Sequence, residues 1–385
     1  MNPSVEACRA FQSCFAKGAF PAHLPVRRAL SHPRVRLNIS YSSSTQHPSA
    51  RWLPPRHNPC THANRHLIMT NTRALSTQPD TGSSDTSISQ RFEELKAEDL
   101  SDNETKILSI LETVILSGLA DNNIPATASA ALDNLCYELC FPPESRPEPD
   151  NSSLEEFLYY LWELLISLMK SVPHDHPKQD LTISFLSELH LRARTTVSIW
   201  GKESRLWRDL PLLSSFLREA WTDPSYTTDH PAPKAITEWL NLNAFTARLT
   251  TASLLDRPIY PLLELKAALE EESHSSPAIR DYRLLVASHW ILLSGKHLFR
   301  DAFRGDSLSE DDLTATEPGP LYTGKPGLYM ERWWFWLKRF EELSGDVDGE
   351  VRRAVERAVE CMREVVREDG RVEVHRLGGD VDGDV

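Results

Sequence analysis

The residues best able to do chemistry in this sequence form short, incomplete groups. His174 and His176 flank Asp175 between Pro173 and Pro177. Two imidazoles one residue apart can share a metal ion, but a site needs a third or fourth ligand brought by the fold. A solvated, proline-bounded connection is the simpler reading. Cys136 and Cys140 share one helix face, where cysteines act as small core hydrophobes. Ser294-Gly295-Lys296 holds a Gly-Lys pair, yet no glycine stands five residues earlier and no Ser or Thr follows the lysine, so it is not a phosphate loop. Asp346-Val-Asp348-Gly349 hints at calcium. With Gly349 at the sixth loop position the twelfth is Val355, so the bidentate glutamate is missing, and an acidic cap at a helix start explains the run better. No Cys-x-x-Cys, His-Glu-x-x-His or Gly-x-Ser-x-Gly occurs. No catalytic residue, cofactor or metal is expected.

The tryptophans carry more information. Nine of ten lie between Trp162 and Trp336. Trp200 and Trp207 bracket the run from Gly201 to Arg205, and Trp333, Trp334 and Trp336 cluster beside Arg332. On one long predicted helix, Trp239, Asn243 and Arg248 set polar groups among apolar ones. Asn243 and Arg248 could join a buried network with an acid from elsewhere. Core packing with each indole N–H satisfied is the favoured reading. The sharper one is an aromatic pocket or partner surface drawn from Trp239, Asn243, Arg248, Trp290, Arg332 and Trp333.

The elements that must position these residues are helices. The chain has 385 residues and a net charge of −13. Residues 1–79 hold ten basic residues and one acid, while the remainder holds 32 basic and 54 acidic. An Arg- and Ser-rich, acid-poor start reads as an organelle transit peptide, or as a dispensable extension upstream of Met69. Either way a disordered basic segment is expected to precede the fold, with a polar linker over 74–88. Beyond it, Ser101-Asp-Asn-Glu104 is a capping box. The helical period then runs through Ile107–Leu119, Leu132–Cys140, Leu154–Met169 (capped by Ser152-Ser-Leu-Glu155), Leu181–Ile199 and a short helix from Pro211 to Trp221. It continues through Ile236–Leu255, Pro261–Glu272, Ile279–Phe299, Met330–Leu343 and Val351–Val366. Residues 223–233 and 301–328 read as loops, and strand-like alternation is nearly absent.

These patterns predict an all-α fold, an irregular multi-helix array of about ten helices. The expected division is 1–79 as the disordered or targeting segment and 80–100 as linker and first short helix. The helical domain is 101–367, and an acidic flexible tail follows at 368–385. No apolar run is long enough to span a membrane, and the acidic balance opposes broad nucleic-acid binding. Three cysteines beyond residue 79 do not suggest a disulfide framework, so a reducing compartment fits: the cytoplasm, or mitochondria if residues 1–68 are a transit peptide.

Four blocks carry a family resemblance: Trp200 to Trp221, Glu238 to Leu249, His289 to Leu298, and Gly319 to Leu343. Their sequences and order are similar to a fungal family of uncharacterised helical proteins, domain of unknown function number 3632. The resemblance covers roughly 200–345 clearly and 100–199 more loosely. It implies a helical, intracellular protein with 1–79 outside the shared domain, and it supplies no catalytic residues.

Two functions from different classes follow. The first is a non-enzymatic protein-interaction or scaffold module, motivated by the absence of catalytic signatures, the acidic surface and the Trp-rich blocks. The second is a small-molecule-binding helical protein or enzyme with a pocket near Trp239, Asn243, Arg248 and Trp290.

Overall fold

Helices are bought from apolar stripes, and one of them here is apolar enough to be wrapped on every side. The computed structural model describes residues 81–119, 121–141, 151–192, 195–255, 259–305, 308 and 310–378. Among them are twelve α-helices and one two-stranded hairpin, all in one compact unit. The expected basic segment 1–79 lies outside the described residues, as do residues 379–385 of the acidic tail.

The first five helices are α1 (Thr81–Lys96), α2 (Asp102–Leu116), α3 (Ile124–Cys140), α4 (Asn151–Ser171) and α5 (Pro177–His190). A hairpin of β1 (Thr196–Ile199) and β2 (Lys202–Arg205) follows, then α6 (Leu213–Ala220), α7 (Pro233–Thr251), α8 (Ile259–Leu269) and α9 (Pro277–Arg304). The chain closes with α10 (Glu310–Ala315), α11 (Met330–Leu343) and α12 (Gly349–Gly378). In α7 every residue from Trp239 to Thr250 is buried, the pattern of a central helix. On one side it packs on α4, which is surrounded by α1, α2, α3 and α6. On the other it packs on α9, which also carries α8, α11 and α12.

Several local rules are visible. At the start of α2, Ser101 Oγ accepts from the Glu104 N–H and the Glu104 carboxylate accepts from the Ser101 N–H, the reciprocal box the sequence predicts. Helix α11 has the predicted bounds, Met330–Leu343. Its inward stripe is Trp333, Trp336, Leu337, Phe340 and Leu343, at helical spacing.

Four expectations need correction. Residues 81–88 are not linker but the first turns of α1, because Ile88, Phe92 and Leu95 are buried and Arg91 donates to Ser167 Oγ on α4 at 2.7 Å. The run to Ile199 is not one helix. The β-branched stretch Thr195-Thr-Val-Ser-Ile199 favours strand. Trp200 and Gly201 then take positive φ values of 52° and 74°, a hairpin turn with glycine at its second corner. Helix α4 starts at Asn151, so Ser152 lies inside it, and Glu155 instead accepts from the Trp200 N–H at 3.5 Å. Finally, the loop over 301–328 contains α10, and α12 continues past residue 367 to Gly378.

Candidate functional site

Glu270 and Arg332 form a fully buried ion pair. Glu270 follows the last residue of α8 and Arg332 sits in the first turn of α11, and both side chains are fully buried. Two guanidinium nitrogens meet the two carboxylate oxygens: Nε to Oε1 at 2.6 Å and Nη2 to Oε2 at 2.9 Å. The carboxylate also accepts from the Trp336 indole at 2.6 Å and from the Gly319 N–H at 2.9 Å. Arg332 Nη1 donates to the carbonyls of Thr316 and Gly327, and the Glu270 carbonyl accepts from the Leu321 N–H. One pair therefore ties the whole connection 316–327 onto α8 and α11. Gly319 is required here, because a Cβ would stand 2.6 Å from the Glu270 carbonyl oxygen.

Three of the four residues predicted to line a pocket on α7, Asn243, Arg248 and Trp290, hydrogen-bond to one another or to neighbouring elements. Trp290 on α9 donates its indole N–H to Asn243 Oδ1 at 2.9 Å, and Asn243 Nδ2 donates to the Trp239 carbonyl at 3.0 Å. The expected acid for Arg248 is Asp180 on α5, at 2.7 Å from Nε; Nη1 also reaches Gln179 Oε1 and the His174 carbonyl, each at 3.0 Å. Asn243 and Trp290 are fully buried, and Trp239 and Arg248 nearly so.

Beside them is a cluster that composition does not announce. Trp221 packs edge-on against Trp239, with ring centroids 4.9 Å apart, and at a tilt against Tyr260, at 4.4 Å. Its indole donates to Glu264 Oε1 on α8 at 3.1 Å. Burial, then the nearby Asp223 charge, pushes the Glu264 carboxyl up to about 8. Asp223 is surrounded by donors. It accepts from Ser225 N and Oγ, each at 2.8 Å, and from the Tyr282 hydroxyl, with Arg283 Nε 3.6 Å from its second oxygen. Glu264 lies one helical turn after Tyr260 and one before Ala268, on the α8 face shared with Leu265 and Leu269. That phase is the only signal in the sequence that this acid faces inward.

The other sequence candidates have structural roles. His176 caps α5, its Nδ1 accepting from the Lys178 N–H at 3.2 Å, while the His174 ring packs on His289 with centroids 4.3 Å apart. Burial lowers the proton affinity of both His174 and His289. Among the described residues no three His, Cys, Asp or Glu side chains stand together as a metal site. Cys136 and Cys140 are buried in the core, and Gly295 lies inside α9 where Trp333 and Cys361 approach it.

Of the cluster on α11, Arg332 and Trp333 are both fully buried, so neither is surface. Trp333 packs edge-on against Phe299 at 5.4 Å. The exposed indole is Trp334, which falls off the inward stripe and keeps 46% of its area in solvent. It lines a groove of about 830 Å³ between α11 and α12. The α12 wall contributes Glu356, Val359, Glu360, Arg363 and Arg367. Among the described residues this is the feature most like a binding surface, since a large exposed aromatic beside a groove marks many interaction sites.

Residues 162–340 match a family described as a protein of unknown function, DUF3632. This segment is similar to that family. No curated protein and no solved structure matches the chain. The DUF3632 span opens at Trp162 in α4 and closes at Phe340 in α11. It thus contains the Glu270–Arg332 pair, the Trp290–Asn243 bond and the Trp221–Glu264 bond, while α12 lies beyond it. Its tryptophan blocks are mainly interior pins. Trp162 donates to the Pro211 carbonyl at 2.8 Å and Trp207 to Asp133 at 2.7 Å, as Trp221, Trp290 and Trp336 do to their own acceptors.

Two predictions follow. Arg332→Met should cost about 3–5 kcal/mol in urea unfolding, because it strands a buried carboxylate. Glu270→Gln/Arg332→Met should recover part of that loss, and a double variant no more stable than the single would contradict the pair's role. Glu264 gives the second. Unfolded, it loses its proton near 4.5; folded, it keeps it to about 8. Over that window the folded state binds the extra proton, so stability falls as pH rises. Below it the contribution is absent, and above it the loss is complete. Glu264→Gln keeps an acceptor for Trp221 and removes the ionisation. Its unfolding free energy should gain on wild type by on the order of a few kcal/mol between pH 5 and pH 8. Parallel pH profiles would refute the assignment.

Proposed function

We propose that this protein is a non-enzymatic protein-interaction module whose working surface is the groove between α11 and α12. One observation carries the reading. In the run Trp333-Trp334-Phe335-Trp336 two indoles are locked into the core, while Trp334 is held by the same rigid helix with almost half its area in water. A pre-placed aromatic on a rigid element loses little entropy on binding and fits the role of an interface anchor. The α12 wall beside it carries both acids and bases, which supports a polypeptide partner rather than nucleic acid.

A cytoplasmic, intracellular location is supported by free thiols at Cys136, Cys140 and Cys361, the last pushed up to about 11 by burial. No helix among the described residues is long and apolar enough to cross a membrane. A transit peptide within residues 1–68 would redirect the protein to mitochondria.

A second reading, a small-molecule site near Trp239, rests on a different observation. The Trp239 indole N–H is buried and has no hydrogen-bond partner among the described residues, and its ring packs on Trp221. Such a donor is available to a ligand acceptor.

Native mass spectrometry of the protein from its own source tests both. The interaction reading expects a bound polypeptide that Trp334→Ala releases, with the variant's stability within about 0.5 kcal/mol of wild type. A lone chain, or an assembly indifferent to Trp334→Ala, would overturn it. The second reading expects a few hundred daltons of bound ligand that Trp239→Phe removes; a bare mass would overturn that.

A further inference from the structure

The α12 wall of the groove carries its charges in a self-complementary order. Glu356, Glu360, Arg363 and Arg367 are spaced i, i+4, i+7 and i+11, which places them in one stripe along a helix. All four are exposed and all four line the groove. The acids come first and the bases second, over about 16 Å of helix. An antiparallel copy of the same stripe, related by a two-fold axis between Glu360 and Arg363, sets each acid against a base. Glu356 meets the partner's Arg367, and Glu360 meets the partner's Arg363. An isologous dimer interface needs this property, each patch being complementary to itself.

We propose that the occupant of the groove is a second copy of this chain, the two α12 helices lying antiparallel with the two Trp334 indoles covered in the same interface. This rests on the interaction reading above and names its partner. Three observations favour a second copy. The first is the symmetric inversion of sign, which a heterologous partner does not require. The second is that Glu356, Glu360 and Arg367 have no ion-pair partner among the described residues, so their charge is free to be matched across an interface. The third is that Arg363 already leans on Glu341 of α11 at 2.7 Å, which stiffens its guanidinium on the groove wall without burying it. Val359 and Val366 lie beside the stripe and, with Trp334, provide the apolar contact that charge pairing alone lacks. Exposed ion pairs bring little affinity one at a time but fix register and exclude the parallel arrangement, which would set like against like.

The test uses the full chain in sedimentation equilibrium over a concentration series at low and high salt. The expected result is a reversible dimer that weakens as salt rises. Glu356→Arg and Arg367→Glu should each raise its dissociation constant at least about tenfold, because each sets like charges face to face. Mixing the two variants should restore association, and so should Glu356→Arg/Arg367→Glu in one chain. Both positions are exposed, so thermal melts should show each variant folded. A chain monomeric at every concentration, a dimer indifferent to the reversals, or a mixture that fails to re-associate would overturn the proposal. If a different polypeptide covers Trp334 while the chain itself stays monomeric, the second copy is ruled out and the interaction reading survives. If Trp334 stays uncovered in every assembly, both fall.

Discussion

The connection between α8 and α11 runs for sixty residues, 270–329, through α9 and α10, and the Glu270–Arg332 pair fixes where it ends. A carboxylate and a guanidinium removed completely from water are tolerated only with near-complete hydrogen bonding. Here both oxygens of Glu270 are used twice, by Arg332, Trp336 and Gly319, and Arg332 also binds two loop carbonyls. The side chains thus take over the work that regular secondary structure does elsewhere. They satisfy the backbone of residues 316–327 and set the angle at which α11 leaves the core. That angle presents Trp333 and Trp336 inward and Trp334 outward.

The same device recurs across the domain. Five buried indoles donate to acceptors 43 to 74 residues away in sequence, at Pro211, Asp133, Glu264, Asn243 and Glu270. Each couples a large apolar surface to one directional bond, so it resists both sliding and rotation of the helices it joins. Glu264 shows what this can cost. It serves Trp221 without a cation in contact and holds its proton to about 8, whereas Asp223 nearby is surrounded by donors.

Much of this was legible in the sequence. The all-α class, the capping box at Ser101 and the bounds of α11 follow from period and capping chemistry. The need of Arg248 for an acid followed from the cost of burying a lone cation. The partners were not legible. Glu270 heads the run Glu270-Glu-Glu272, which reads as a solvated helix end, and only its phase after Leu262, Leu265 and Leu269 separates it from its neighbours. The hairpin after α5 was hidden because Val197 and Ile199 fit a helical stripe as well as a strand. On α11 the distinction was available: Trp333, Trp336, Leu337 and Phe340 keep the inward period and Trp334 breaks it. Treating the three tryptophans as one cluster missed the residue that faces solvent.

The exposed edge of the core is then the place to look for function. Helix α11 belongs to the DUF3632 span and brings Trp334; α12 lies beyond that span and brings the charged wall. The most direct measurement is fluorine NMR of the full chain labelled with 5-fluorotryptophan, with Trp333, Trp334 and Trp336 assigned by single Phe substitutions. The account predicts that, of these three signals, only that of Trp334 is broadened by a soluble paramagnetic probe, and that it alone shifts and becomes protected as the protein associates. Broadening of Trp333 or Trp336, or a Trp334 signal unchanged on association, would contradict it.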